Sequence, residues 1–121
     1  MNKLLVLVDF DGVLHSYTGD WQGAHSVRQS PVRGAMLWLE AMLWDERFEI
    51  QVFSARNCQE GGIGAMRRWL RENGLTAAEV AAIGFPLEKP AAHMLIDDRA
   101  FCFRGLFPTP DEVADFRPWW K

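Results

Sequence analysis

Cysteine is scarce in this 121-residue chain: only Cys58 and Cys102 occur, with no Cys-x-x-Cys pair and no regular spacing. Neither a zinc site nor a disulfide framework is therefore expected, and the two thiols read as reduced and partly buried. Long apolar runs are missing as well. The opening run, Leu4 to Val8, meets Asp9 well before it could form a signal-peptide core or cross a bilayer, so the expectation is a cytoplasmic protein without membrane association. Excess positive charge is also absent. A formal net charge of −3 argues against general electrostatic binding to nucleic acid, although a local basic face is compatible with it. No internal repeat, linker or low-complexity segment interrupts the sequence. His15 and His25 lack metal-like spacing and read as solvated loop residues. Gly61-Gly62-Ile63-Gly64 fits neither the dinucleotide fingerprint nor a Walker lysine pattern, and reads as a flexible start to a helix.

What the chain does contain is enough apolar material for one packed core. Hydrophobic residues make up 49% and aromatics 12%, and the length suits a single domain over 1–121. The six tryptophans read mainly as packing residues, with Trp21 as the one placed to stack on a base or sugar.

Leu4 to Val8 is a continuous aliphatic run, the pattern of a parallel-sheet strand buried on both faces. Residues 12–30 mix glycine, serine, histidine and aromatics without a period, which predicts a long loop or small flap. Pro31 is placed to open a helix carrying Met36, Leu39, Ala41, Met42 and Leu43 and ending near Asp45. Phe48 to Phe53 reads as a second strand ending in Ser54-Ala55-Arg56. Ile63, Met66 and Leu70 fall at helical spacing and Asn73-Gly74 closes that helix, with Arg67, Arg68 and Arg71 on a solvated face. Thr76 with Glu79, and Thr109 with Glu112 after Pro110, are capping-box signatures for two short helices. Ile83 to Pro86 reads as a brief strand, and His93 to Ile96 as another that runs into Asp97-Asp98.

Strands alternating with helices predict an α/β fold, a three-layer Rossmann-like sandwich around a mostly parallel central sheet. Ligands in such sheets bind beyond the carboxyl ends of the strands. Asp9/Asp11, Ser54/Arg56 and Asp97/Asp98 each follow a predicted strand, so they can converge on one site. Converging carboxylates repel unless protonated or bridged by a cation, and an all-oxygen donor set favours Mg²⁺ beside a substrate phosphate. An aspartate there can attack phosphorus, and a second acid can protonate the leaving oxygen and later activate water. Asp9 and Asp11 fit these roles, with the turn at Gly12 letting both reach one centre. Ser54 is a candidate phosphoryl donor, Lys89 a candidate for offsetting charge, and Arg56 a candidate substrate contact at the rim.

Asp9-Phe10-Asp11-Gly12-Val13, a strand-end Ser54, Lys89-Pro90 and Asp97-Asp98 after an apolar strand occur in an order that resembles the haloacid dehalogenase superfamily, over residues 4 to 98. The resemblance implies a phosphomonoester hydrolase acting through an aspartyl phosphate, with Asp9 as nucleophile and Asp11 as general acid and base. It also implies Mg²⁺ held by the Asp9 side chain, the Asp11 backbone carbonyl and Asp97, with Asp98 as a second or water-mediated partner. The second aspartate of the pair favours phosphatase chemistry over dehalogenation. Only seven residues separate Lys89 from Asp97, where superfamily members commonly place a helix. There is also no room for a large cap, so the expected site is open apart from the 12–30 flap and admits a bulky phosphorylated substrate. Two other readings fit the same residues: a phosphoacceptor receiver domain, whose acceptor follows a middle strand rather than the first, and a non-catalytic phosphate-binding interaction module.

Overall fold

The computed structural model describes residues 2–121. Its three strands, β1 (Leu4–Val8), β2 (Phe48–Val52) and β3 (Met94–Ile96), form one open parallel sheet in the order β2-β1-β3. The helices are α1 (Ala35–Trp44), α2 (Gly62–Glu72), α3 (Ala77–Ala81) and α4 (Pro110–Asp115). The chain is thus an α/β protein whose first strand lies in the middle of its sheet.

Register explains the aliphatic run of β1. Val6 lies across from Ile50 and Met94, and Val8 across from Val52 and Ile96, so alternate residues share a face. Val6, Val8, Ile50 and Val52 pack with Leu39 of α1 and with Met66, Trp69 and Leu70 of α2. Leu7, on the opposite face, is also fully buried, as expected for a central strand. Each such aliphatic side chain contributes on the order of 2 kcal/mol through burial. The opposite face is more open toward its edges, where Leu95 is 36% exposed and Glu49 is exposed.

The capping boxes form as read. Thr76 and Glu79 exchange hydrogen bonds at the start of α3, and Thr109 and Glu112 do so at the start of α4, with Pro110 in its first turn. Ile83 to Pro86 contributes a single parallel bridge, Gly84 to Gln51, rather than a strand. Pro31 does not open α1. The Ser16 N–H donates to the Ser30 carbonyl and the Val32 N–H to the Leu14 carbonyl, which holds 30–32 extended against 14–16, and the helix begins only after Gly34. This short antiparallel pairing closes the base of the 12–30 loop.

Three expectations about exposure are overturned. Cys58 and Cys102 are both exposed free thiols. His15 is buried, at 1% exposure. Of the tryptophans read as packing residues, Trp69 is buried and Trp38 packs half-buried against the core, but Trp44 and Trp119 are exposed; Trp21, read separately, is exposed too. Among the described residues no helix is long and apolar enough to cross a membrane.

Candidate functional site

The order β2-β1-β3 places a topological switch at β1: the chain passes from β1 to β2 on one side and later returns to β3 on the other. Such a switch opens a crevice at the strands' carboxyl ends. The ladders run right up to it, with the Asp9 N–H donating to the Ile96 carbonyl and the Phe53 N–H to the Val8 carbonyl. Asp9 therefore leaves the central strand between Ser54 on one side and Asp97 on the other. A cleft of about 400 Å³ lies here, lined by Asp9, Ser54, Asn57, Asp97 and Arg99 among others.

Asp9, Asp97 and Asp98 each bring a carboxylate oxygen to within 4.8 Å of the others. Burial pushes the Asp9 carboxyl up to about 8, reinforced by its hydrogen-bonding contact with Asp98 and the charges of Asp97 and Asp98; the Phe10 N–H, 2.8 Å from Oδ1, opposes the rise. The set consists of oxygen donors only, which suits a hard divalent cation. Asp98 Oδ1 is buried and meets no backbone or nitrogen donor, which leaves the raised Asp9 carboxyl as the hydrogen-bonding neighbour of Asp98 within the cluster. Carboxylates gathered this closely repel unless one is protonated, as the raised Asp9 is in the metal-free chain, or a cation meets them; the oxygen-only set is chemically compatible with Mg²⁺.

Gly12 lets the two acid-bearing loops close on each other. Its φ is +83°, and a Cβ there would collide with Asp98 Oδ2 and lie 2.7 Å from Trp120 Nε1. Its N–H donates to the His15 carbonyl. The glycine thus shapes the loop after β1, and its expected role in substrate binding reduces here to permitting that approach.

Asp11 points elsewhere. Its carboxylate receives Arg56 Nε at 2.7 Å and Nη2 at 3.0 Å, together with His15 Nδ1 at 2.8 Å. His15 Nε2 accepts the Gln29 N–H at 3.1 Å, which leaves Nδ1 as the ring nitrogen that donates to Asp11. Burial alone would raise the Asp11 carboxyl, but the hydrogen bonds of His15 and Arg56 and the guanidinium charge outweigh it and hold it below the usual carboxylate range. The side chain does not join the cluster of Asp9, Asp97 and Asp98.

Arg56 is not a rim residue. It is 2% exposed, and its remaining nitrogen, Nη1, donates to the carbonyls of Gly23, Ala24 and Ser26. Trp21 covers the guanidinium at 4.7 Å. The expectation that Arg56 binds substrate at the rim is corrected by this geometry: the side chain is buried, with Nε and Nη2 bonded to Asp11 and Nη1 to the 12–30 loop, which it anchors. A cation–π contact likewise occupies Trp21. Gly62 supports the arrangement, because any Cβ at that position would run into the Arg56 carbonyl oxygen.

Ser54 lines the cleft, its Oγ accepting the Arg56 N–H at 3.1 Å. Asn57 shapes this loop from within: Nδ2 donates to the Val52 and Pro86 carbonyls and Oδ1 accepts the Ser54 N–H. Lys89 is exposed, forms no ion pair among the described residues, and does not line the cleft. The cation that does line it is Arg99, which a sequence search for a Lys-Pro pair passes over. Its signal was present: it follows Asp97-Asp98 directly.

No family model matches the chain, and no curated protein or solved structure matches it.

Proposed function

We propose that the protein is a Mg²⁺-dependent phosphomonoester hydrolase that forms an aspartyl phosphate on Asp9. The observation that carries this reading is the meeting of Asp9, Asp97 and Asp98 within 4.8 Å at the carboxyl ends of adjacent parallel strands, beside an open cleft that Ser54 and Arg99 also line. Asp9, Asp97 and Asp98 would hold the cation, which when bound neutralises the carboxylates and the substrate phosphate.

Ionised Asp9 then attacks phosphorus, the bond from phosphorus to the leaving oxygen breaks, and that oxygen takes up a proton. Water next attacks the aspartyl phosphate, releasing inorganic phosphate and restoring the carboxylate. Ser54 Oγ and the Arg99 guanidinium orient the phosphoryl oxygens. Asp11 serves as the proton donor in this scheme once its carboxylate turns from Arg56 and His15 toward the cleft. Lys89 contributes charge only if the loop carrying it moves inward. The strand order and the buried central strand are compatible with a small Rossmann-like sandwich lacking a large cap, and the open cleft suits a bulky phosphate ester. Work in the cytoplasm, where exposed thiols stay reduced, belongs to the same proposal.

The test is a panel of phosphomonoesters assayed with Mg²⁺, after chelation, and with an Asp9→Asn protein. Turnover that needs both Mg²⁺ and Asp9 is expected; absence of metal-dependent turnover on every ester would overturn the proposal.

A further inference from the structure

Trp119 and Trp120, expected among the packing residues, both bring their indoles to the site. A turn closed by the Lys121 N–H on the Pro118 carbonyl, with Pro118 itself buried, presents them together. Trp119 Nε1 donates to the Gly12 carbonyl at 2.7 Å, and Trp120 Nε1 to Asp98 Oδ2 at 2.7 Å. An indole N–H is a donor only. Each therefore selects an acceptor, and the two acceptors lie on the loops that follow β1 and β3.

The ring of Trp120 is held from several sides. Arg99 lies over it at 5.4 Å and Lys121 at 5.8 Å, while Tyr17 of the 12–30 loop meets it edge-on at 5.6 Å. With Oδ2 of Asp98 taken by the indole, the other oxygen, Oδ1, is buried and held by no backbone or nitrogen donor. A carboxylate pinned at one oxygen presents the other in a fixed direction. Hydrogen bonds of this kind behind a ligating group orient it, and their loss typically weakens metal binding by about 10- to 100-fold.

We propose that Trp120 is a positioning residue of the acidic site: by donating its indole N–H to Asp98 Oδ2 it orients Asp98 Oδ1 for the divalent cation, while Trp119 secures the facing loop through the Gly12 carbonyl. This inference rests on reading Asp9, Asp97 and Asp98 as the cation site. It goes further in making residues 118–121 a working part of that site.

The experiment measures Mg²⁺ binding by calorimetry to the full chain, its Trp120→Phe variant and a Trp44→Phe control. Phenylalanine keeps an aromatic ring against Tyr17, Arg99 and Lys121 but removes the donor. Trp44 donates a similar bond to Glu79 Oε2 at 2.8 Å, outside the acidic cluster. Trp120→Phe should weaken Mg²⁺ binding by roughly tenfold or more, and Trp44→Phe should leave it unchanged. A companion measurement needs no altered folding. In the ¹⁵N-labelled wild-type chain, the Trp120 indole N–H resonance should shift on Mg²⁺ titration with the calorimetric midpoint, and that of Trp44 should stay still. Equal Mg²⁺ affinity of wild type and Trp120→Phe, or a Trp120 resonance indifferent to Mg²⁺ that the wild type does bind, would overturn the role of Trp120 alone. Failure of the wild type to bind Mg²⁺ at all would overturn the cation site and this inference with it.

Discussion

Asp9 and Asp11, two residues apart, hold their carboxyl groups in opposite electrostatic states. Asp9 sits among other acids and is pushed up to about 8, whereas Asp11 is clasped by Arg56 and His15 and held below the ordinary range. The backbone turns between them, so one acid faces the cleft and the other faces the anchored loop. Their replacement by asparagine should accordingly affect folding in opposite directions.

Asp11→Asn leaves the Arg56 guanidinium, 2% exposed, without its counter-charge. Breaking a buried pair from one side costs about 3 to 5 kcal/mol. The 19% exposure of the Asp11 side chain puts the expectation near the lower end, about 3 kcal/mol. Urea unfolding of the purified variant measures it. A loss below about 0.5 kcal/mol would show that the Asp11–Arg56 pair does not hold the 12–30 loop.

Asp9 predicts a pH dependence with the reverse sign. Its folded value of about 8 lies above the reference 3.8, so the native state retains a proton that the unfolded chain releases. The stability this contributes is complete below about pH 3.8 and is lost as pH rises through about 8. In metal-free protein, unfolding free energy should therefore fall between pH 5 and 8 by up to about 1.4 kcal/mol per unit. Asp9→Asn, which cannot ionise, should flatten that slope, and saturating Mg²⁺ should offset it. Urea melts across this range decide the matter, and identical slopes for wild type and variant would contradict the assigned state of Asp9.

Much of this fold was legible because it is written in local pattern. The aliphatic run of β1, the spacing of Ile63, Met66 and Leu70, and the Thr-x-x-Glu boxes depend on neighbours a few residues away, and each formed where the pattern put it. So did the placement of Asp9 and Asp97-Asp98 after strands that turned out to be adjacent. Directions of side chains were not legible. Arg56 lies two residues beyond a strand in sequence, yet its guanidinium is claimed by carbonyls about thirty residues earlier. Nothing in the local sequence distinguishes that buried anchor from a rim cation. His15 was misplaced for the same reason, since its partners Asp11 and Gln29 only meet it once the loop closes. Pro31 carries a helix-start signal that lost to the pairing of 30–32 with 14–16, a tertiary contact overriding a local preference.

Arg99, not Lys89, lines the cleft. Arg99→Ala should lower kcat/KM for phosphate esters by about 10- to 100-fold, the range for losing one hydrogen bond to a charged group. Lys89→Ala should cost less than Arg99→Ala under the same conditions. Steady-state kinetics of the two variants makes the comparison, and a larger loss at Lys89 would show that the loop carrying it closes over the substrate.

The central claim is that Asp9 carries the phosphoryl group during turnover. The most direct measurement is rapid acid quench of wild-type protein turning over an activated aryl phosphate with Mg²⁺, followed by intact mass and fragment mapping of any adduct. The account predicts a phosphoryl adduct on Asp9 that appears and decays with turnover, and that is absent from Asp9→Asn. Turnover with no adduct at any quench time, or an adduct mapping to Asp97 or Asp98, would contradict it; an Asp9 adduct that persists without release of phosphate would place the chain with phosphoacceptor signalling domains instead.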